Sequence, residues 1–174
     1  MLAPRPLSVA LPRQTRRMVT WEECRGDFRP DGSLRDVYVR GGGLPAWEAA
    51  LRTLLAMGTA RYEVDGRTMS LPGSAREALA LRPTQSPLLR VEIGGIDFAC
   101  HFFGSEDVEL DFAPAEVNAA DRFVTLLSVV VAIGQATGRD VIVTSENQRD
   151  LAFLRYEAAK KTVGRRAHES RHAG

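Results

Sequence analysis

The chain has 174 residues, 44% apolar and 26% charged, with a formal net charge of +1. That is enough for one ordinary globular domain with a buried core. No apolar run nears the roughly 20 residues that a membrane helix needs, and the richest, 123–133, is too short. Cys24 and Cys100 are the only cysteines and lack Cys-x-x-Cys spacing. This fits a reduced, cytoplasmic protein with structural thiols better than a disulfide scaffold, although one bridge between the two stays open.

The basic residues are 21 Arg and 2 Lys, the usage expected of a GC-rich bacterial genome. Their placement is uneven. Residues 1–17 hold Arg5, Arg13, Arg16 and Arg17 with no acid; residues 158–174 hold Lys160, Lys161, Arg165, Arg166 and Arg171 against Glu169. The body, 18–157, has 14 basic and 21 acidic residues, a net charge of −7. An acidic body opposes phosphate-backbone contact, which argues against nucleic acid as a partner.

In chain order, 1–17 is proline-bearing and acid-free, without periodicity, and is expected to be a disordered basic extension with Met18 a plausible alternative start. A first strand is expected near Val19–Trp21 or Asp27–Arg29, then a Pro30-Asp31-Gly32-Ser33 turn and a strand over 34–39. Gly41-Gly42-Gly43 has no following Gly-Lys-Ser/Thr and reads as a connector, not a phosphate loop. Pro45, Gly58 and the stripe Trp47, Leu51, Leu54 and Leu55 predict a helix over about 44–57. Asp65-Gly66 predicts a hairpin between 59–64 and 67–71. Ser74 and Glu77 have capping-box spacing and predict a short helix.

Three strands are expected over 88–93, 96–103 and 108–112. Alternation in the last puts Val108, Leu110 and Phe112 on one face and Glu109 and Asp111 on the other. Asn118 is expected to cap a long helix over about 118–137, ended by Gly138. Strands over 140–144 and 151–157 follow, with a helical stub beyond Ala158 and a basic tail over 158–174. The fold class is α+β: a mainly antiparallel sheet with two main helices and one short helix on one face. The domain layout is an N-terminal extension 1–17, one domain 18–157 and the tail.

Five acids, Glu106, Asp107, Glu109, Asp111 and Glu116, fall within eleven residues. The bland interpretation is the wet face of a sheet. The functional ones are a partner surface, a hard-cation site or a catalytic carboxylate pair. His101 is the only histidine in the body and shares a strand face with Asp97; a pairing with Asp97 or Glu109 offers a general-base arrangement, against the bland interpretation of a structural histidine. The polar loop 145–150 includes Glu146 and Asn147 on a rigid frame, as recognition loops do. Arg35, Asp36 and Tyr38 are further candidates for a polar surface.

The segments 31–39 (DGSLRDVYV), Trp47, His101-Phe102-Phe103, Glu109–Phe112 and Thr144–Asn147 resemble a widespread group of small bacterial proteins without a characterised activity. In size, acidity and α+β make-up the chain is also similar to immunity proteins of bacterial toxin–immunity systems. The resemblance covers about 18–157 and brings no active site. It implies a non-enzymatic protein-binding protein that neutralises a cognate toxin with a basic cleft. The expected partner surface is Glu106, Asp107, Glu109, Asp111, Glu146 and Asn147, with no cofactor, metal or membrane and the oligomeric state left open. The alternatives are a metal-dependent hydrolase using Asp97, His101, Glu109 and Asp111, or a self-assembling structural module.

Overall fold

The structure, a computed structural model, describes residues 18–166. It is an α+β fold built on one antiparallel sheet of nine strands: β1 Arg35–Val39, β2 Thr59–Val64, β3 Arg67–Met69, β4 Pro87–Ile93, β5 Ile96–Cys100, β6 Val108–Phe112, β7 Val141–Ser145, β8 Ala152–Glu157 and β9 Thr162–Arg165. Their spatial order is β3-β2-β4-β5-β6-β1-β7-β8-β9. Four helices accompany them: α1 Trp21–Cys24, α2 Gly43–Met57, α3 Ala75–Leu81 and α4 Ala120–Thr137.

Period-two alternation explains why the sheet has one dry face. Val37 and Val39 of β1 stand beside Leu110 and Val108 of β6 and beside Val143 of β7. With Leu89, Val91, Phe98, Leu154 and Tyr156 they join the helix residues Trp47, Leu51, Leu54, Phe123, Leu126, Val130 and Ile133 in one buried core. Residues one position out of phase point to the opposite face, which the described helices leave uncovered.

α4 is 18 residues long and apolar enough, by length and composition, to span a bilayer. Here it lies on the sheet and α2, with Phe123, Leu126, Val129, Val130, Ile133 and Gly134 buried. Gly134 is required: a Cβ there would stand 2.2 Å from Tyr156 Cδ1, so the helix can approach β8 only without one. Gly138 closes the helix in the left-handed region at φ 65°, as its sequence position predicts.

The two main helices, the Asp65-Gly66 hairpin and the Ser74 cap, whose side chain accepts from Glu77 N, lie where the sequence places them. Four local expectations are corrected. First, the segment before β1 is helical, not a strand. The Glu23 carboxylate accepts from Thr20 N and Oγ1, both at 2.9 Å, starting α1, and a 3-10 turn Arg25–Phe28 follows. Phe28 then plugs the core edge-on to Phe153 and Phe123.

Second, β5 stops at Cys100. Phe102 takes a left-handed φ of 55°, which ends strand geometry and lets its ring stack on Trp47 at 5.1 Å. Third, α4 is entered from Ala119, not Asn118, because the chain first makes a 3-10 turn over Pro114–Glu116. Fourth, 158–161 is a turn and not a helical stub. Lys161 sits at φ 51°, and β-branched Thr162 and Val163 pair with Glu157 and Tyr156, so the sheet continues past residue 157.

Candidate functional site

On the uncovered face, register sets a polar row across the three central strands. Asp36 lies between Asp111 and Thr144, and Tyr38 between Glu109 and Ile142. Asp36, Tyr38, Thr144, Ala99 and Ile142 are all buried there, with Asp36 only 3% exposed. The loop 145–150 closes over this row. Asn147, at φ 59°, turns its N–H onto Asp36 Oδ2 at 2.8 Å, a backbone state that Asn tolerates better than most residues. Tyr38 Oη donates to the same oxygen at 2.8 Å and lies 3.4 Å from Glu109 Oε1.

Arg149 completes the cover. Its guanidinium sits 4.9 Å from the Tyr38 ring centroid and donates at 2.9 Å to both Asp107 Oδ2 and Glu109 Oε2. Planar Arg can stack and fork at once, which Lys cannot do as well. Asp107 also accepts from Gly41 N at 2.7 Å, tying the turn after β1 to the same network.

Burial pushes the Asp36 carboxyl above the usual carboxylate range, against the pull of the Asn147 and Tyr38 hydrogen bonds. Burial also raises Glu109, with the Arg149 charge opposing it. The Tyr38 phenol is raised by burial and by the acids beside it. Desolvation disfavours each charged form, so this patch is a semi-buried, electrostatically loaded network.

His101 leaves β5 onto the same face and holds Asp111 Oδ2 at 3.0 Å. The Phe103 ring stacks on it at 5.0 Å with planes 10° apart, and the Arg82 guanidinium lies over the Phe103 ring at 4.9 Å. Phe103 is nevertheless 53% exposed. An aromatic ring is thus fixed at the surface beside the acids of β6.

The expected surface residues meet different fates. Asp107, Glu109 and Asp111 converge on this face, each with a cationic or histidine partner. Asn147 contributes its backbone N–H, and Glu146 accepts from Leu34 N at 3.2 Å. Glu106 is exposed, and its backbone oxygen accepts from Gly43 N. Asp97 faces Arg90 at 2.9 Å and is separate from the His101–Asp111 pair. No group of three or more His, Cys, Asp or Glu among the described residues is arranged to hold a metal ion.

Asp36, Tyr38 and Arg149 join the site as its central members. The sequence signal for them was the alternation of β1 and the polarity of the loop. Arg35, by contrast, faces the other way, with its guanidinium bound to Asp31 and to the Asp27 and Arg29 carbonyls.

Fold and site together define an α+β domain with one helix-covered sheet face and one open face carrying a braced ionic network. Compared with protein families, with curated proteins and with solved structures, the chain matches none.

Proposed function

We propose that this is a non-enzymatic protein-binding domain that docks a basic partner on its open sheet face, in the manner of an immunity protein blocking a toxin's cleft. The observation that carries it is Phe103, half-exposed and packed against His101 and Arg82 beside the carboxylates of β6. Interfaces draw lasting affinity from such rigid aromatic anchors, while rim charges set association rate and partner choice. The sheet pre-organises both, which lowers the ordering cost of binding. Lysines or arginines of the partner would take over carboxylate oxygens that Arg149 and His101 now hold. Bacterial immunity proteins are the class that the chain resembles in size, acidity and α+β make-up.

The test is co-purification with the product of the neighbouring gene, and protection of cells against it. Phe103→Ala is expected to weaken capture by about tenfold or more, as loss of an anchor does. Glu109→Lys with Asp111→Lys is expected to slow association and abolish protection. Undiminished binding by both variants, once shown to be folded, would remove this face as the docking surface.

A further inference from the structure

A second site lies at the far end of the same face. Beyond Tyr38 the sheet opens into a groove of about 640 Å³, within the size range of small-ligand sites. Five arginines line it, Arg40, Arg139, Arg149, Arg155 and Arg166, against two acids, Asp140 and Asp150. β7 and β8 set the floor, with Ile142 opposite Arg155. The turn after β1 brings Arg40, the end of α4 brings Arg139, and the residue after β9 brings Arg166.

The local charge is unlike that of the body as a whole. Arg155 forks onto Asp140 Oδ2 at 2.7 and 3.0 Å, and Arg40 meets Asp150 at 3.3 Å. Arg149 is committed to Asp107 and Glu109 outside the groove. Arg139 only donates to the Arg40 carbonyl, and among the described residues neither Arg139 nor Arg166 has a carboxylate partner. Two guanidinium charges therefore face the groove without a counter-ion among the described residues. The groove is also open enough for water to leave and a ligand to enter.

We infer that this groove binds a small oligophosphate, either inorganic or the phosphate tail of a nucleotide. Guanidinium forks match phosphate oxygens two at a time, and two unpaired cations ask for a ligand with at least two negative charges. Tyr38 is the only aromatic residue among the described residues of the lining, and Arg149 already lies over its ring. A base would therefore find no free face to stack on, and the phosphates would carry recognition. Arg149 belongs to both ends of the open face, so a phosphate drawing on it would loosen its hold on Glu109.

The experiment is titration calorimetry of the full chain with tripolyphosphate, ATP and citrate at about 50 mM salt, where screening is modest. One tripolyphosphate per chain is expected, weakening as salt rises. Arg139→Glu and Arg166→Glu should each lower affinity by about tenfold or more, as loss of a charged hydrogen bond does. Arg52→Glu, an exposed α2 arginine away from the groove, should change nothing. ATP binding as tightly as tripolyphosphate assigns the site to phosphates alone, and tighter ATP binding assigns it to nucleotides. Arg139→Gln and Arg166→Gln, checked by circular dichroism, replace any reversal variant that fails to fold. The inference is overturned by no saturable tripolyphosphate binding, by citrate binding as well, or by equal losses in Arg52→Glu.

Discussion

Asp36 offers the sharpest energetic test of the site. Its Oδ2 accepts two hydrogen bonds, from Tyr38 Oη and Asn147 N, both at 2.8 Å, in a position 3% exposed. Asp36→Ala leaves the Asn147 N–H without its acceptor and Tyr38 with only Glu109 at 3.4 Å. Stranding a buried donor costs about 1–3 kcal/mol, so the expected loss at neutral pH is about 2–4 kcal/mol. Asp36→Asn keeps an acceptor oxygen and removes a charge that burial and the neighbours Asp111 and Glu146 disfavour. It should lie within about 1 kcal/mol of wild type, or above it.

The pH dependence separates charge from packing. Because the folded-state pKa of Asp36 is raised, the native state holds this proton more tightly than the unfolded chain, where Asp titrates near about 3.9. The desolvation penalty is therefore full above the raised value and is relieved as pH falls through it. Any advantage of Asp36→Asn over wild type should be largest at about pH 8 and should shrink as pH falls toward about 3.5, below the unfolded value. Urea unfolding of the three proteins at both pH values measures this. Equal losses in the Asn and Ala variants, or an Asn difference that ignores pH, would refute the account.

Two further outcomes rest on the core. Gly134→Ala gains about 1 kcal/mol of helix propensity, yet its methyl would meet the fully buried Tyr156 ring at 2.2 Å. Overpacking at about 1–3 kcal/mol outweighs this, so thermal unfolding should report a net loss of up to about 2 kcal/mol; a more stable variant would show that the ring yields. Cys24 and Cys100 are both buried and free, and burial pushes the Cys24 thiol up to about 11 and the Cys100 thiol further. Neither should react with a thiol reagent at about pH 8 until denaturant is added, since the thiolate is the nucleophile; a fast-reacting thiol in the native protein would contradict that burial.

Local chemistry made much of the fold legible. Pro45 and Gly58 bracket α2, Asp65-Gly66 turns β2 into β3, and Ser74 with Glu77 starts α3. The misread segments are those where a local preference was overruled or faint. Ala158-Ala159-Lys160-Lys161 has helical composition, but pairing of Thr162 and Val163 with β8 turns it into a hairpin. Phe102 looked like one more strand residue, yet its ring packs on Trp47 only if the backbone leaves the strand. In the site, the alternation of β6 showed that Glu109 and Asp111 share a face. That Arg149 would reach over Tyr38 to meet them depends on β1 lying between β6 and β7. No short-range signal encodes such a neighbourhood.

That placement of β1 has a consequence for the order in which the molecule can assemble. β1 is the first of the described strands to be made, yet both its neighbours, β6 and β7, come from the second half of the described chain. The Asp36–Asn147 bond closes a span of 111 residues. A growing polypeptide therefore carries Val37 and Val39 with one strand edge unpaired until Val141–Ser145 have been synthesised. A fragment ending before Val141 lacks the native neighbour of β1 on that side. Such long-range closure belongs to the slower-folding topologies, and here the candidate site and the centre of the sheet form in the same late step.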